Sequence, residues 1–115
     1  MKQMSGGIMF DQKDIVLVLF PYSDLTGSKL RPALIVSNEN INSTEDRICC
    51  LVTSNPPKDH ALLLNSFHEG DLPFKSWVKP HRIFTIHEKI IKKKLCSITD
   101  EFHRRVLVSI NEFLT

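Results

Sequence analysis

The sequence predicts a mainly β domain that forms a small, strongly bent sheet or partly open barrel and ends in one α-helix. Short apolar runs alternate with turn signals over the first three-quarters of the chain, and only the last segment has apolar residues at helical spacing. With 115 residues, 42% of them hydrophobic, the chain has the size of one domain with one core. We expect this domain to span residues 9–115, after a flexible tail over residues 1–8.

The first part of the chain predicts two strands joined by a polar loop. Residues 15–20 (IVLVLF) are rich in β-branched side chains and end at Pro21, which is typical of a strand buried on both faces. The segment 22–29 (YSDLTGSK) has the composition of a loop. Residues 33–37 (ALIVS) predict the second strand, which follows a proline that fixes the direction of the chain.

A third strand is predicted over residues 47–53 (RICCLVT), after a polar turn over residues 38–46. The Asn55-Pro56-Pro57 segment ends this strand, so Thr53 and Ser54 are expected at a margin of the sheet.

The next segments predict two further extended stretches. Residues 61–64 form a short apolar strand, and residues 66–73 (SFHEGDLP) are expected to be a loop. Residues 76–86 are extended in pattern but interrupted at Pro80, because proline cannot donate a hydrogen bond to a neighbouring strand.

The C-terminal segment predicts an amphipathic helix. Thr99 can cap it, and two acidic residues follow in the first turn, where they suit the positive end of the helix dipole. Apolar residues then recur at helical spacing, which predicts one buried face. They are Phe102, Val106, Ile110 and Phe113.

The composition excludes several classes of protein. The 15 Lys and Arg residues against 13 Asp and Glu give a net charge of +2, so a nucleic-acid site would have to be local. Three cysteines, Cys49, Cys50 and Cys96, form neither a disulfide framework nor a zinc motif. The longest apolar run, residues 15–20, is far too short to cross a bilayer. We therefore expect a cytoplasmic protein that binds no membrane and needs no metal or other cofactor.

An ordered set of short motifs resembles the MazF/PemK-like toxins of type II toxin–antitoxin systems. The resemblance covers nearly the whole chain from Asp14 onward. Its motifs are Asp14-Ile15-Val16, Phe20-Pro21, Asp24-Leu25 with Gly27-Ser28, Arg31-Pro32-Ala33, Val52-Thr53-Ser54, Ser76-Trp77-Val78, Arg82 and Phe84-Thr85. Two positions depart from the family pattern: Lys13 stands where glycine is common, and His81 where an acidic residue is common.

The resemblance implies a CcdB-like, SH3-like barrel fold, a homodimer, and a metal-independent endoribonuclease that cleaves single-stranded RNA at short sequences. It also implies a cognate antitoxin that wraps a segment across the toxin. The catalytic arginine and threonine of the family fall on Arg31 and Thr53.

These two residue types suit metal-free RNA cleavage. The adjacent 2′-hydroxyl is the nucleophile, so the protein must neutralise a phosphorane that carries extra negative charge. Arg31 has a planar fork of donors that matches phosphate oxygens, and Pro32 stiffens the chain that presents it. Because a guanidinium is a poor proton donor at neutral pH, its first role is charge stabilisation, and a general-acid role stays open. Thr53 can direct a hydroxyl at the same phosphate.

Other residues are candidate RNA contacts. Lys79 and Arg82 are as often solvated surface charges as phosphate ligands. Tyr22 is a better candidate for base stacking than Phe74 or Trp77, because it begins a polar loop. His81 is a candidate helper, since imidazole titrates near neutral pH. The full set of predicted substrate-binding residues is Ser54, Ser76, Lys79, Arg82, Tyr22, Ser28 and Lys29.

Two other functions stay open at this point. The CcdB-like fold also serves non-catalytic poisons of DNA gyrase, which have no need of the pair Arg31 and Thr53. A catalytically silent relative could keep the fold to bind RNA or antitoxin, and the intact Arg31, Thr53 and Ser76 speak against it.

Overall fold

The computed structural model describes residues 9–21 and 27–115. Within this part the chain forms seven strands, a single-turn helix, a 3₁₀ turn and a long C-terminal helix. The strands are β1 (Asp14–Pro21), β2 (Ser28–Ile35), β3 (Asp46–Thr53), β4 (Leu62–Leu63), β5 (Phe67–Glu69), β6 (Trp77–His87) and β7 (Ile91–Ile98). The helices are α1 (Glu39–Asn42) and α2 (Asp100–Leu114), and the 3₁₀ turn is Glu88–Ile90. The predicted tail 1–8 and Tyr22 lie outside the described residues.

All seven strands join one antiparallel sheet in the order β4-β6-β3-β2-β1-β7-β5. Its curvature makes a half-barrel, aided by four register shifts in three of the strand pairs. The largest lies in β6, where Cys50 pairs with Ile83 but Leu51 pairs with Lys79. The three residues between, which include Pro80, bulge out of the ladder, and this confirms the predicted interruption.

The sheet is buried on both faces. Side chains alternate along each strand, so Ile15, Leu34 and Cys50 point to one face, where α2 packs with Phe102 and Val106. Their neighbours in the sequence form a second cluster on the other face. That cluster contains Val16, Val18, Ala33, Ile35, Cys49, Ile86 and Ile91. Burial on both faces explains why β1 is apolar at consecutive positions.

Helix α2 begins where its cap predicts. The Oγ1 atom of Thr99 accepts a hydrogen bond from the backbone N–H of Phe102 at 3.2 Å and lies 2.7 Å from the hydroxyl of Ser66. Ile110 packs against the first cluster, whereas Phe113 is 43% exposed and contacts the rings of two histidines. No helix in the described part of the chain is long and apolar enough to span a bilayer.

A buried arginine fixes the beginning of β3. Arg47 donates from Nε to the carbonyl of Phe10 (2.9 Å) and from one terminal nitrogen to the carbonyls of Thr44 (2.7 Å) and Asp46 (2.8 Å). Its other terminal nitrogen lies 3.2 Å from a carboxylate oxygen of Glu88. These bonds join the segment before β1 to the start of β3 and to the 3₁₀ turn.

Three sequence expectations need correction, and one strand was not predicted. The polar turn over residues 38–46 contains α1, capped by Asn38, whose side chain accepts from the N–H of Asn40. The expected loop over residues 66–73 contains β5, which pairs with β7. The second strand begins at Ser28 rather than at residue 33, because the chain already pairs with β1 there. β7 itself had no predicted counterpart.

Candidate functional site

A gap opens in the sheet where β2 leaves β3. Their pairing ends at Ala33 and Leu51, although β2 stays paired with β1 as far as Ser28. Pro32 comes next and has no N–H to donate. The same register, continued, puts Arg31 opposite Thr53. The two residues predicted to act together therefore lie on the two sides of this gap, although they are 22 positions apart in the chain.

The hydroxyl of Thr53 is held in place. Its Oγ1 atom accepts a hydrogen bond from the backbone N–H of Asn55 at 3.1 Å. This bond occupies one lone pair and leaves the hydroxyl proton free to donate. The turn that follows β3 thus orients a half-buried donor at the gap, with the exposed Ser54 beside it.

The cations around the gap have no counterion in the described part of the chain. Arg31, Lys29 and Arg82 are exposed, and Lys79 is half-buried. Among residues 9–21 and 27–115, none of these four cations forms a salt bridge. Positive charge of this kind, with its hydrogen-bond donors free, suits an anionic ligand.

Two grooves meet at this gap, on opposite faces of the sheet. The first, which we call the basic groove, has a volume of about 720 Å³. It is lined by Phe20, Lys29, Arg31, Leu51, Thr53, Asn55, Lys79, Arg82, Ile83 and Phe84. Its floor is the end of the second hydrophobic cluster, where Phe20 and Phe84 contact edge to face with ring centroids 5.1 Å apart.

The second groove, which we call the apolar groove, has a volume of about 450 Å³. Most of its wall is aliphatic or aromatic, with a few hydroxyl and amide groups near the gap. It is lined by Leu17, Leu30, Pro32, Val52, Ser54, Leu72, Pro73, Phe74, Ser76 and Leu95, together with Lys29, Arg31, Thr53 and Asn55, which it shares with the basic groove. The Arg31–Thr53 pair thus stands where the two grooves join.

The structure gathers most of the predicted site residues at these grooves. Ser54 and Ser76 line the apolar groove, Lys79 and Arg82 the basic groove, and Lys29 both. Ser76 is buried and donates its hydroxyl to the carbonyl of Phe74 at 2.8 Å, so it positions the loop before β6.

Two predicted site residues that the structure describes, Ser28 and His81, are not brought to the grooves. Ser28 is exposed in β2 and is absent from the described lining residues, and Tyr22 lies outside the described residues. His81 is also absent from the described lining. Its ring lies 6.0 Å from that of His60 and 6.1 Å from that of Phe113, centroid to centroid. Asn55 lines both grooves but was not predicted as a site residue, and only its place after the strand end hinted at that position.

The thiols of the domain are unsuited to nucleophilic chemistry. Burial raises the pKa of Cys49 and of Cys50 to about 12, and that of Cys96 to about 11, so all three are neutral at physiological pH. In the described part of the chain, no group of three or more His, Cys, Asp or Glu side chains is arranged to hold a metal ion.

A third hollow, of about 490 Å³, differs from these grooves because its charges are paired. Lys94 lies 2.8 Å from a carboxylate oxygen of Glu69 and 3.4 Å from one of Asp14. The hydrogen bond from Lys94 lowers the pKa of Glu69, and the bond to Glu69 raises the pKa of Lys94. Lys13 likewise bonds Asp100. A charged ligand would therefore find fewer unpaired charges in this hollow than at the gap between Arg31 and Thr53.

The half-barrel sheet with a C-terminal helix defines a small β-sheet protein. Its candidate site for anionic ligands is the strand-end hydroxyl beside cations that have no ion pair among the described residues. The model of the family described as PemK-like, MazF-like toxin of type II toxin-antitoxin system matches residues 11–114. The chain belongs to this family, as its motifs indicated. A comparison with curated proteins finds no match.

Solved structures share the fold at low sequence identity. An endoribonuclease in complex with its cognate antitoxin, from a mycobacterial species, superposes with a TM-score of 0.74 at 17% identity, over 91% of this chain and 94% of that one. MazE–MazF from Deinococcus radiodurans gives 0.72 at 18% identity, over 94% and 97%. The Mycobacterium tuberculosis toxin MazF-mt6 gives 0.64 at 13%, over 86% and 95%. These likenesses confirm the predicted fold class.

Proposed function

We propose that this chain is a toxin that cleaves single-stranded RNA at short sequences without a metal ion. Membership of the toxin family supports this function, and so do structural neighbours that are named endoribonucleases. The observation that carries it is the pair Arg31 and Thr53 on the two sides of one gap, with free cations around it. A gyrase poison would have no need of such a pair.

In the proposed reaction, a ribose 2′-hydroxyl attacks the adjacent phosphorus. A bond forms from the 2′-oxygen to phosphorus, and the bond from phosphorus to the 5′-oxygen breaks. The 2′-hydroxyl loses a proton and the departing 5′-oxygen gains one, which leaves a 2′,3′-cyclic phosphate and a 5′-hydroxyl. The protein must stabilise the phosphorane between these states.

Arg31 supplies that stabilisation. Its fork of donors can bind two oxygens of one phosphate, and its charge offsets the charge that develops on them, which is the role a metal ion takes in other nucleases. Thr53 donates its hydroxyl proton to an oxygen of the same phosphate, because the bond from the N–H of Asn55 occupies one lone pair and leaves the proton free. Neither role requires the side chain to change its protonation state.

Lys29, Lys79 and Arg82 bind neighbouring phosphates along the basic groove. Such contacts hold the strand in register but carry little sequence information. The antitoxin inhibits by laying a segment across the same grooves, a partner supported by the complexes known for the structural neighbours. The toxin acts as a homodimer, as the family resemblance implies.

A cleavage assay tests the proposal directly. The purified chain is incubated with a long RNA in EDTA, and the ends of the fragments are mapped and chemically identified. We expect cuts at a short recurring sequence with cyclic phosphate ends, loss of cutting in Arg31→Met, and unchanged cutting in Lys92→Gln, which removes an exposed lysine from β7. Activity that disappears in EDTA and returns with Mg²⁺ would contradict the metal-independent mechanism, and equal cutting by Arg31→Met would exclude the assigned site.

A further inference from the structure

The two grooves that meet at Arg31 and Thr53 differ in chemistry. Both grooves share the cations Lys29 and Arg31. The basic groove adds Lys79 and Arg82, whereas the described lining of the apolar groove adds no further cation. We propose that the two grooves bind different parts of the RNA on the two sides of the scissile phosphate. The basic groove holds the sugar–phosphate backbone on one side, and the apolar groove receives a base from a nucleotide on the other side. This inference rests on the proposed function.

Phe74 is the central residue of the proposed base site. It lines the apolar groove and is 72% exposed, which is unusual for a large aromatic side chain in a loop that is otherwise held in place. The hydroxyl of Ser76 bonds its carbonyl at 2.8 Å, and Lys75 lies over the neighbouring Trp77 with its nitrogen 5.9 Å from the ring centroid. The ring is therefore exposed on a fixed backbone, as a stacking surface must be.

The rest of the apolar groove suits a base rather than a phosphate. Leu72 and Leu95 offer apolar surface to the faces of a heterocycle. Ser54 and Asn55 lie at the end nearest the gap and can donate and accept hydrogen bonds at its edge. A phosphate at the Leu72 end would lose hydration without gaining a counterion. An uncharged base would avoid this desolvation cost, so that end of the groove favours a base.

The basic groove has the opposite character. Lys79 and Arg82 have no carboxylate partner among the described residues. Lys79 directly precedes the bulge of β6, and Arg82 is its last residue. The aromatic residues of this groove are less accessible, because Phe20 and Phe84 pack edge to face on each other in its floor. Backbone contacts here should add affinity that falls with salt but does not depend on sequence.

Binding of a non-cleavable RNA tests this division. The parent protein is first used to map a cut site, and oligonucleotides are then made with a 2′-deoxy residue at the cut and one abasic nucleotide at each flanking position in turn. We expect base removal to weaken binding by about tenfold or more at one or two positions, all on one side of the cut, as loss of a stacked base does.

In Phe74→Ala, RNA binding should no longer depend on the base at those positions. In this variant, removing the same base should weaken binding less than about threefold, because the stacking partner is already gone. Phe74→Tyr keeps a ring and should retain the parent response. Leu114→Ala is the matched control, since Leu114 is 73% exposed but lies on α2 and in neither described groove lining.

Salt dependence tests the other groove. Lys79→Gln and Arg82→Gln should each reduce the slope of log Kd against log salt by about 0.7, the value for one phosphate contact on a single strand. Phe74→Ala and the charge control Lys92→Gln should leave the slope unchanged. Neither Lys79→Gln nor Arg82→Gln should change how much base removal weakens RNA binding.

The outcomes separate this inference from the proposed function. If the parent cuts no RNA, the proposed function fails in the first step. If the parent cuts RNA but base removal has equal effects on both sides of the cut, or the same effect in Phe74→Ala as in the parent, only the division between the grooves is wrong. It is also wrong if Phe74→Ala weakens inhibition by the antitoxin while its response to base removal stays that of the parent.

Discussion

The two ends of strand β3 use arginine in opposite ways. At its beginning, Arg47 is buried, and its hydrogen bonds reach three backbone carbonyls and Glu88. At its end, Thr53 is aligned with Arg31, which is exposed and has no ion pair among the described residues. A guanidinium that donates to several groups of its own chain holds the fold together, whereas one without such partners is available to a ligand. Replacing the arginine should therefore lower stability at the beginning of β3, where Arg47 lies, and lower activity at its end, where Arg31 lies.

The largest expected effect is at the open end. Arg31→Met should lower kcat/KM for RNA cleavage by about 10²- to 10³-fold, as loss of a preorganised donor to a transition state does, and should leave the melting temperature unchanged. Arg31→Lys should recover little of the rate, because an ammonium cannot reproduce the bidentate fork. Kinetics on one defined RNA and thermal denaturation provide the two readouts. A well-folded Arg31→Met that cleaves within a few-fold of the parent would show that Arg31 does not stabilise the transition state.

The same substitution at the buried end should have the reverse outcome. Arg47→Met leaves the carbonyls of Phe10, Thr44 and Asp46 without their donor, so the free energy of unfolding should fall by about 2–3 kcal/mol. For a domain of this size, the melting temperature should drop by roughly 8–12 °C. Activity per folded molecule, measured well below the transition, should match the parent. A large loss of activity in a folded Arg47→Met would show that the two ends are not independent.

Thr53 sharpens the assignment of the open end. Thr53→Ala should slow cleavage by about tenfold through loss of one hydroxyl donor, whereas Thr53→Ser should stay within a few-fold of the parent. If Arg31 and Thr53 stabilise the same phosphorane, the double variant should lose less than the product of the single losses. Strictly multiplicative losses would indicate that the two side chains act on different groups.

The smallest expected effect concerns a buried histidine of α2, His103. Burial lowers the pKa of His103 below its ordinary value of 6.5, and its Nε2 atom has no hydrogen-bond partner among the described residues. The unfolded chain therefore binds the proton more tightly than the folded one, so this contribution to stability is complete above about pH 6.5 and declines as the pH falls below it. Denaturant unfolding of the parent and of His103→Gln between pH 5 and 8 should show a flatter profile for the variant. Parallel profiles would contradict the role of His103.

Local patterns were sufficient for several elements. The strand over residues 15–20 follows from consecutive β-branched residues, and α2 from a capping threonine before apolar positions at helical spacing. Arg31 and Thr53 were singled out through an ordered set of motifs that resembled the toxin family, and the family match confirms that membership. Their catalytic roles remain predictions.

Other features exist only because distant segments pair. β7 carries Lys92, Lys93 and Lys94, which obscure its apolar positions, and it becomes a strand through pairing with β1. β5 in turn exists because β7 gives it a neighbour.

The gap itself depends on where two ladders end. Pro32 in β2 is visible in the sequence, but its alignment with β3 depends on which residues pair across the sheet. The same holds for the two grooves, which are lined by residues from β2, β3, β6 and the loops beside them. The alternation of residues in a strand predicts which face of the sheet a side chain lies on. Which residues pair across two strands is set by the packing of both faces at once. That packing brings Arg31 and Thr53 together at the join of a basic and an apolar groove.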